Sequence, residues 1–299
     1  MLQIERILCP VDFSESSVTA YDYAQSLARH YQAKLFLQHV VEFDFPPYEY
    51  YAPPSYLDEH FQSICVDAQQ KLQEFAKSHT RNGVQPDCLV DAGVVTEAIL
   101  SFAEAQKVDL IVMGTHGLKG VDRFMLGSVA DKVLRKARCP VLVIPKPRYD
   151  VVAPEGEPGS VQLRRVVLCT DFSDPSHRAL EYALSAAAEY DAELTLLHVL
   201  EHIPSSANIE EAIAMATKQL DRLIPPEGVK AAKIKTMVRI GKAYQQIIEF
   251  SLEIQADLLI MAVRGRNALN LAVFGSTTYR VIQLGSCPVL AVHDRANQG

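Results

Sequence analysis

The chain alternates short unbroken apolar runs with longer stretches in which apolar residues recur every three or four positions. Runs of the first kind read as strands buried on both faces, and stretches of the second kind as amphipathic helices. In the N-terminal half this places strands near 4–11, 34–41, 86–91, 109–113 and 140–144, and helices near 15–31, 57–79, 94–106 and 127–137. Ser14 to Ser17 offer N-caps to a helix whose apolar stripe holds Val18, Tyr21, Ala24, Leu27 and Ala28. Strands and helices in strict alternation predict a parallel sheet with helices on both faces.

The pattern then repeats. ERILCPVDFSESS (5–17) matches RRVVLCTDFSDPS (164–176), and LFLQHVVE (35–42) matches LTLLHVLE (194–201), both at an offset of 159. Further on the offset is 148: Gly93 matches Gly241, VDLIVMG (108–114) matches ADLLIMA (256–262), and RCPVLVI (138–144) matches SCPVLAV (286–292). The shift of 11 falls in one place, a longer loop after the second strand of the first half. A register kept over so many elements predicts a duplicated α/β domain, residues 1–147 and 163–294. The Pro- and Gly-rich stretch KPRYDVVAPEGEPGSV (146–161) marks the linker, set at 148–162.

One unit carries the candidate chemistry. Leu110 to Met113 forms a buried strand, Gly114 and Gly117 follow, and nine residues later Gly127 and Ser128 open a helix that leads to the strand Val141 to Ile144. A strand, loop, helix, strand crossover leaves its loop at the carboxyl edge of the sheet, where such sheets bind ligands. Glycine lets the backbone bend and approach a ligand closely. The start of the helix at 127–128 presents unpaired N–H groups and the positive end of the dipole, an anion site best suited to phosphate. The Ser128 hydroxyl would cap the helix or bond a phosphate oxygen.

Composition narrows the field. The 299 residues are 48% hydrophobic and 22% charged, enough for two domains with ample cores. A net charge of -7 argues against a general nucleic-acid binder, and no apolar run reaches the roughly 18 residues that cross a bilayer. Glu5 and Arg6 interrupt what would be a signal's apolar core, and six cysteines show neither CxxC pairs nor a disulfide-framework spacing. A cytoplasmic, reduced protein without membrane or nucleic-acid partners is expected.

With these features in hand, the chain resembles the universal stress protein family in its tandem form, over nearly all of both halves. Gly114, Gly117, Gly127 and Ser128 meet that family's nucleotide-binding signature G-x2-G-x9-G-(S/T), and PVDFS and CPVLVIP look like its first and last strands. The resemblance implies a Rossmann-like, adenine nucleotide alpha hydrolase-like fold of five parallel strands in the order 3-2-1-4-5, with fifth strands pairing between domains. In a tandem chain this would make an intramolecular pseudo-dimer; a homodimer and an unidentified protein partner stay open. It also implies ATP or another adenine nucleotide in the crevice; the chain itself is expected to have no metal site, with Mg²⁺ only as it accompanies ATP, through the phosphates and near Asp12. The positions carried over are Asp12 beside ribose and phosphates, the Val40 backbone at adenine, Met113 on the pocket wall, and Thr115, His116 and Arg123 in the loop. Gly127, Ser128 and Val129 complete the set at the helix start.

The second half departs once: Ala262 replaces the first glycine, ahead of Gly265, Gly275 and Ser276, while Asp171 and Val199 keep their places. Alanine is tolerable there if φ is negative and costly if it is not. Binding is therefore expected chiefly in the first half. His39 and His198 read as packed histidines bonded to neighbouring backbone, and Cys139 and Cys287 as small residues before matching prolines. No cluster has metal spacing, and no general base is positioned, so any ATP hydrolysis or autophosphorylation would be slow. A true ATPase or nucleotidyl transferase would want a HxGH- or SGG-type motif after the first strand, where PVDFSES stands. The other alternative is a scaffold that acts through EFDFPPYEYYAPPSYLDEHF (42–61), with three Phe, four Tyr and four Pro. The reading is of a nucleotide-dependent sensor or adaptor in stress responses.

Overall fold

The runs rich in Val, Ile and Leu form ten strands and the amphipathic stretches eight helices in a computed structural model that describes residues 3–42, 54–80, 84–115, 126–145, 161–201, 208–225, 233–263 and 275–293. The first half holds β1 (Arg6–Pro10), α1 (Glu15–Tyr31), β2 (Lys34–Val41), α2 (Pro54–His79), β3 (Asp87–Ala92), α3 (Val95–Ala105), β4 (Leu110–Gly114), α4 (Ser128–Lys136) and β5 (Val141–Ile144). The second holds β6 (Arg165–Cys169), α5 (Asp174–Glu189), β7 (Glu193–Leu200), α6 (Ile209–Asp221), β8 (Ile234–Ile240), α7 (Ala243–Glu253), β9 (Leu258–Ala262), α8 (Ser276–Leu284) and β10 (Val289–Val292). Most of the linker, 146–160, and most of the aromatic stretch, 43–53, lie outside the described residues.

All ten strands join one sheet in the order β3-β2-β1-β4-β5-β10-β9-β6-β7-β8, so each half is 3-2-1-4-5. Within a half every pairing is parallel; between halves β5 and β10 pair antiparallel, Leu142 opposite Leu290. That joint covers one of the two edges of each half and leaves β3 and β8 as the outer strands. Each face of the sheet carries one continuous core. On one, Ile7, Leu37 and Val112 pack with Val166, Leu196 and Ile260 under α1, α2, α5 and α6. On the other, Leu8, Ile111 and Val143 pack with Val167, Leu259 and Val289 under α3, α4, α7 and α8.

The duplication reaches the backbone torsions. The left-handed residues Phe13, Gln32 and Lys107 are matched by Phe172, Asp191 and Gln255, and Gly93 (φ 123) by Gly241 (φ 137). At the last pair only glycine is comfortable, and each donates its N–H back to β2 or β7, to Val41 and Leu200 respectively. The halves also meet through helices: the His30 ring stacks on Tyr190 at 4.3 Å, and the Tyr31 hydroxyl hydrogen-bonds Glu189, with burial pushing the Tyr31 pKa up. No helix among the described residues is long and apolar enough to cross a membrane. All six cysteines are unbridged.

Candidate functional site

In a 3-2-1-4-5 sheet the connections run to opposite sides of β1, and the switch lies between β1 and β4. Asp12 follows β1 and Thr115 follows β4, so the two loops that leave this crevice are those singled out from the sequence. Phe13 at φ 65 turns the chain off the sheet, and the β1–β2 ladder stops at Pro10 opposite Gln38. The Gln38 carbonyl accepts the Val11 N–H at 2.8 Å on the β1 side, and backbone groups alternate sides along a strand. Val40, two residues on, therefore aims its own N–H and C=O at the space β1 has left.

The helix start is held from below. The Gly127 N–H donates to the Thr115 carbonyl at 2.8 Å, and the Thr115 N–H donates to Ile144 at 3.2 Å. Gly127 is the N-cap of α4, with no side-chain cap, and Ser128 is the exposed first helical residue. The serine does not cap the helix: it stands one position too late. Among the described residues the first-turn amides of α4 thus have no side-chain cap, as an anion site requires. Met113 is buried in the wall and Val129 is half-buried. His116, Gly117 and Arg123 lie outside the described residues, as do Gly265, Arg264 and Arg266 of the second half.

Asp12 Oδ1 accepts from the Ser14 N–H (3.1 Å) and hydroxyl (2.6 Å), and Ser14 in turn caps α1. Asp171 Oδ1 takes three donors, the Ser173 N–H and hydroxyl and the Ser176 hydroxyl. The second half adds a further closure: Thr170 Oγ1 accepts the Phe172 N–H at 3.0 Å, where the first half has Val11. His39 Nδ1 donates to the Val11 carbonyl and His198 Nδ1 to the Thr170 carbonyl, each at 2.8 Å. A carbonyl only accepts, so both rings carry the proton on Nδ1 and serve as struts. The rings also pack against Phe13 and Phe172, each at 4.4 Å.

Gly114 serves a purpose that its sequence spacing did not suggest. It ends β4 without a left-handed φ, and a Cβ placed on it would lie 2.2 Å from Ser16 Oγ and 2.9 Å from the Ser16 carbonyl. The glycine makes room for the first turn of α1. Ala262 likewise has no left-handed φ, and Pro175 stands where α1 has Ser16, so the hydroxyl that forces glycine is missing. Gly275 caps α8 as Gly127 caps α4, its N–H donating to Val263 at 2.8 Å, and Thr278 Oγ1 adds a bond to the Ala262 carbonyl. Val199, like Val40, lies past the last rung of the ladder to the first strand of its half. Sequence reading passed over Thr170, Thr278 and Gln38; the one visible signal was Gln38, a polar residue breaking the apolar run of β2.

Two parallel half-sheets, each pairing a glycine-capped helix with an aspartate after a neighbouring strand, define a doubly wound α/β protein built by duplication. The chain belongs to the universal stress protein family, whose model matches residues 3–145 and again 162–293. A universal stress protein of Methanocaldococcus jannaschii is 34% identical over 146 residues, 49% of this chain and 85% of its own. One from Bacillus subtilis is 31% identical over 144 residues, 46% of this chain and 97% of its own. The crystal structure of a universal stress protein from Archaeoglobus fulgidus matches 96% of both chains at 22% identity with a TM-score of 0.62, a likeness of fold.

Proposed function

We propose that this tandem universal stress protein binds an adenine nucleotide in the crevice of its first half and works as a cytoplasmic sensor or adaptor in stress responses. The observation that carries the reading is the α4 start: a side-chain-free N-cap, Gly127, anchored to Thr115 directly beside the loop that bears Asp12. In this reading the α4 amides and Ser128 hold the phosphates, Asp12 the ribose, and the outward backbone of Val40 the base. The loop residues His116 and Arg123 would add donors to the phosphates. Mg²⁺ would accompany ATP through its phosphates near Asp12. The second half, through Asp171, Val199, Ala262, Gly265, Gly275 and Ser276, would bind more weakly, because Thr170 and Ser176 already occupy its donors and its aspartate.

Turnover has little to work with. Asp12 Oδ1 already accepts two hydrogen bonds from Ser14, so it is not poised as a base. Among the described residues no three His, Cys, Asp or Glu side chains form a metal cluster. Hydrolysis, where it occurs, would be slow. Calorimetric titration of the full chain with Mg–ATP tests the reading: Asp12→Ala should weaken binding strongly and Asp171→Ala little. Equal weakening by both would place the ligand in both halves, and no binding to the unaltered protein would leave a scaffold that acts through 42–61.

A further inference from the structure

A buried amide in the first half has an acceptor that nothing described satisfies. Gln38 lies in the middle of β2, fully buried, on the sheet face that also carries Val40 and Met113. Its Nε2 donates to Asp91 Oδ2 at 2.6 Å and, more weakly, toward the Ala98 carbonyl at 3.5 Å. A carboxylate and a carbonyl only accept, so the nitrogen must be the atom facing them and the oxygen must face the other way. That oxygen, Oε1, is sealed from solvent and has no donor among the described residues. Buried polar atoms without a partner are few in folded proteins and ask for a cause.

Position supplies one. Asp91 is the register partner of Val40, so by reaching Asp91 the Gln38 amide rises to the carboxyl edge of the sheet, level with the Val40 backbone. The register also sets Gln38 beside Pro10, and Leu8 opposite Ile111 carries that row on to Met113. In the second half the same row reads Met237, Leu197, Cys169 and Met261, with no side-chain amide, and Arg239 replaces Asp91. The duplicated fold therefore does not need a polar group here. The first half alone has one, and with it a carboxylate that fixes its orientation.

We infer that Gln38 reads the base in the first-half site, its Oε1 accepting a hydrogen bond from the exocyclic amino group of a 6-aminopurine, with Asp91 as the positioning residue that keeps the oxygen turned inward. The inference rests on the nucleotide reading above and adds a reason for the choice of base. A 6-oxopurine would bring an oxygen against an oxygen and leave both unpaired. The second half, with Leu197 at this place, would not distinguish the two.

The test compares ATP with ITP, in which a carbonyl replaces the 6-amino group and N1 carries a proton, by calorimetric titration of the full chain. The unaltered protein should prefer ATP by about tenfold or more, the scale of one lost buried hydrogen bond. Gln38→Leu, which copies the second half and so suits the fold, should bring the two affinities within about twofold of each other, chiefly by weakening ATP. Asp91→Asn keeps Gln38 but frees its amide to turn over, and should lower the preference too. If ATP binds and the preference survives both substitutions, or is absent from the start, Gln38 does not read the base although the nucleotide site stands. If neither nucleotide binds, the site reading itself is lost.

Discussion

His293 Nε2 donates to the main-chain oxygen of Leu134 at 2.7 Å, so a residue just past β10 caps the last turn of a helix in the other half. Leu134 belongs to the four terminal carbonyls of α4 that no intrahelical N–H can reach. The ring is buried, and the carbonyl fixes the proton on Nε2. The antiparallel joint of β5 and β10 brings the two together, and the helix held this way is the one whose other end opens the candidate site.

Replacing His293 by Phe should keep the ring volume and strand the Leu134 carbonyl. The chain should lose about 1–3 kcal/mol, the cost of a buried acceptor left unpaired. Urea unfolding at pH 7 reads this as a lower midpoint; an unchanged midpoint would show that the cross-half bond contributes nothing.

Gly114→Ala should destabilise the ligand-free protein by about 1–3 kcal/mol, the range of core overpacking, because its methyl meets Ser16. Adding Ser16→Ala should recover part of the loss by removing the hydroxyl, while the Ser16 carbonyl at 2.9 Å keeps the rest. Ala262→Gly should bring no comparable gain. A Gly114→Ala protein as stable as the parent, but impaired in binding, would return that glycine to a ligand-facing role.

Buried thiols set an alkaline limit. Burial pushes Cys169 up to about 12, against about 8.5 in an unfolded chain. The unfolded state then loses its proton first, so the stability this group contributes is full below about pH 8.5 and is lost as pH rises toward 12. Tyr21, raised to about 12 by burial, adds to the fall at higher pH. Unfolding free energy should decline from about pH 8.5 upward, less steeply in Cys169→Ala. At pH 8, a thiol reagent should modify only the partly exposed Cys65, Cys88 and Cys139 in the folded protein. Rapid modification of Cys9, Cys169 or Cys287 would contradict the burial.

Much of this was legible in the sequence because it rests on local periodicity. The run Leu110 to Met113 and the stripe Tyr21, Ala24, Leu27 and Ala28 needed only their spacing, and the two fixed offsets carried each element onto its copy. The helix expected from 57 starts at Pro54, inside the aromatic stretch 42–61, since proline suits a first turn. What was not legible depends on residues far apart in sequence. Gly114 reads as a loop glycine until Ser16, 98 positions earlier, is seen beneath it. His293 shows no partner until β10 reverses against β5. Gln38 looks like a flaw in a strand until Asp91 orients it.

The central claim is one adenine nucleotide, held by the first half. Mass spectrometry of small molecules released by denaturing freshly purified protein, counted per chain, tests it most directly. About one adenine nucleotide per chain is predicted, lost in a Gly127→Val protein whose urea midpoint shows that it still folds. Two per chain would contradict the asymmetry drawn from Thr170 and Ser176. No nucleotide, before or after incubation with Mg–ATP, would contradict the nucleotide reading itself.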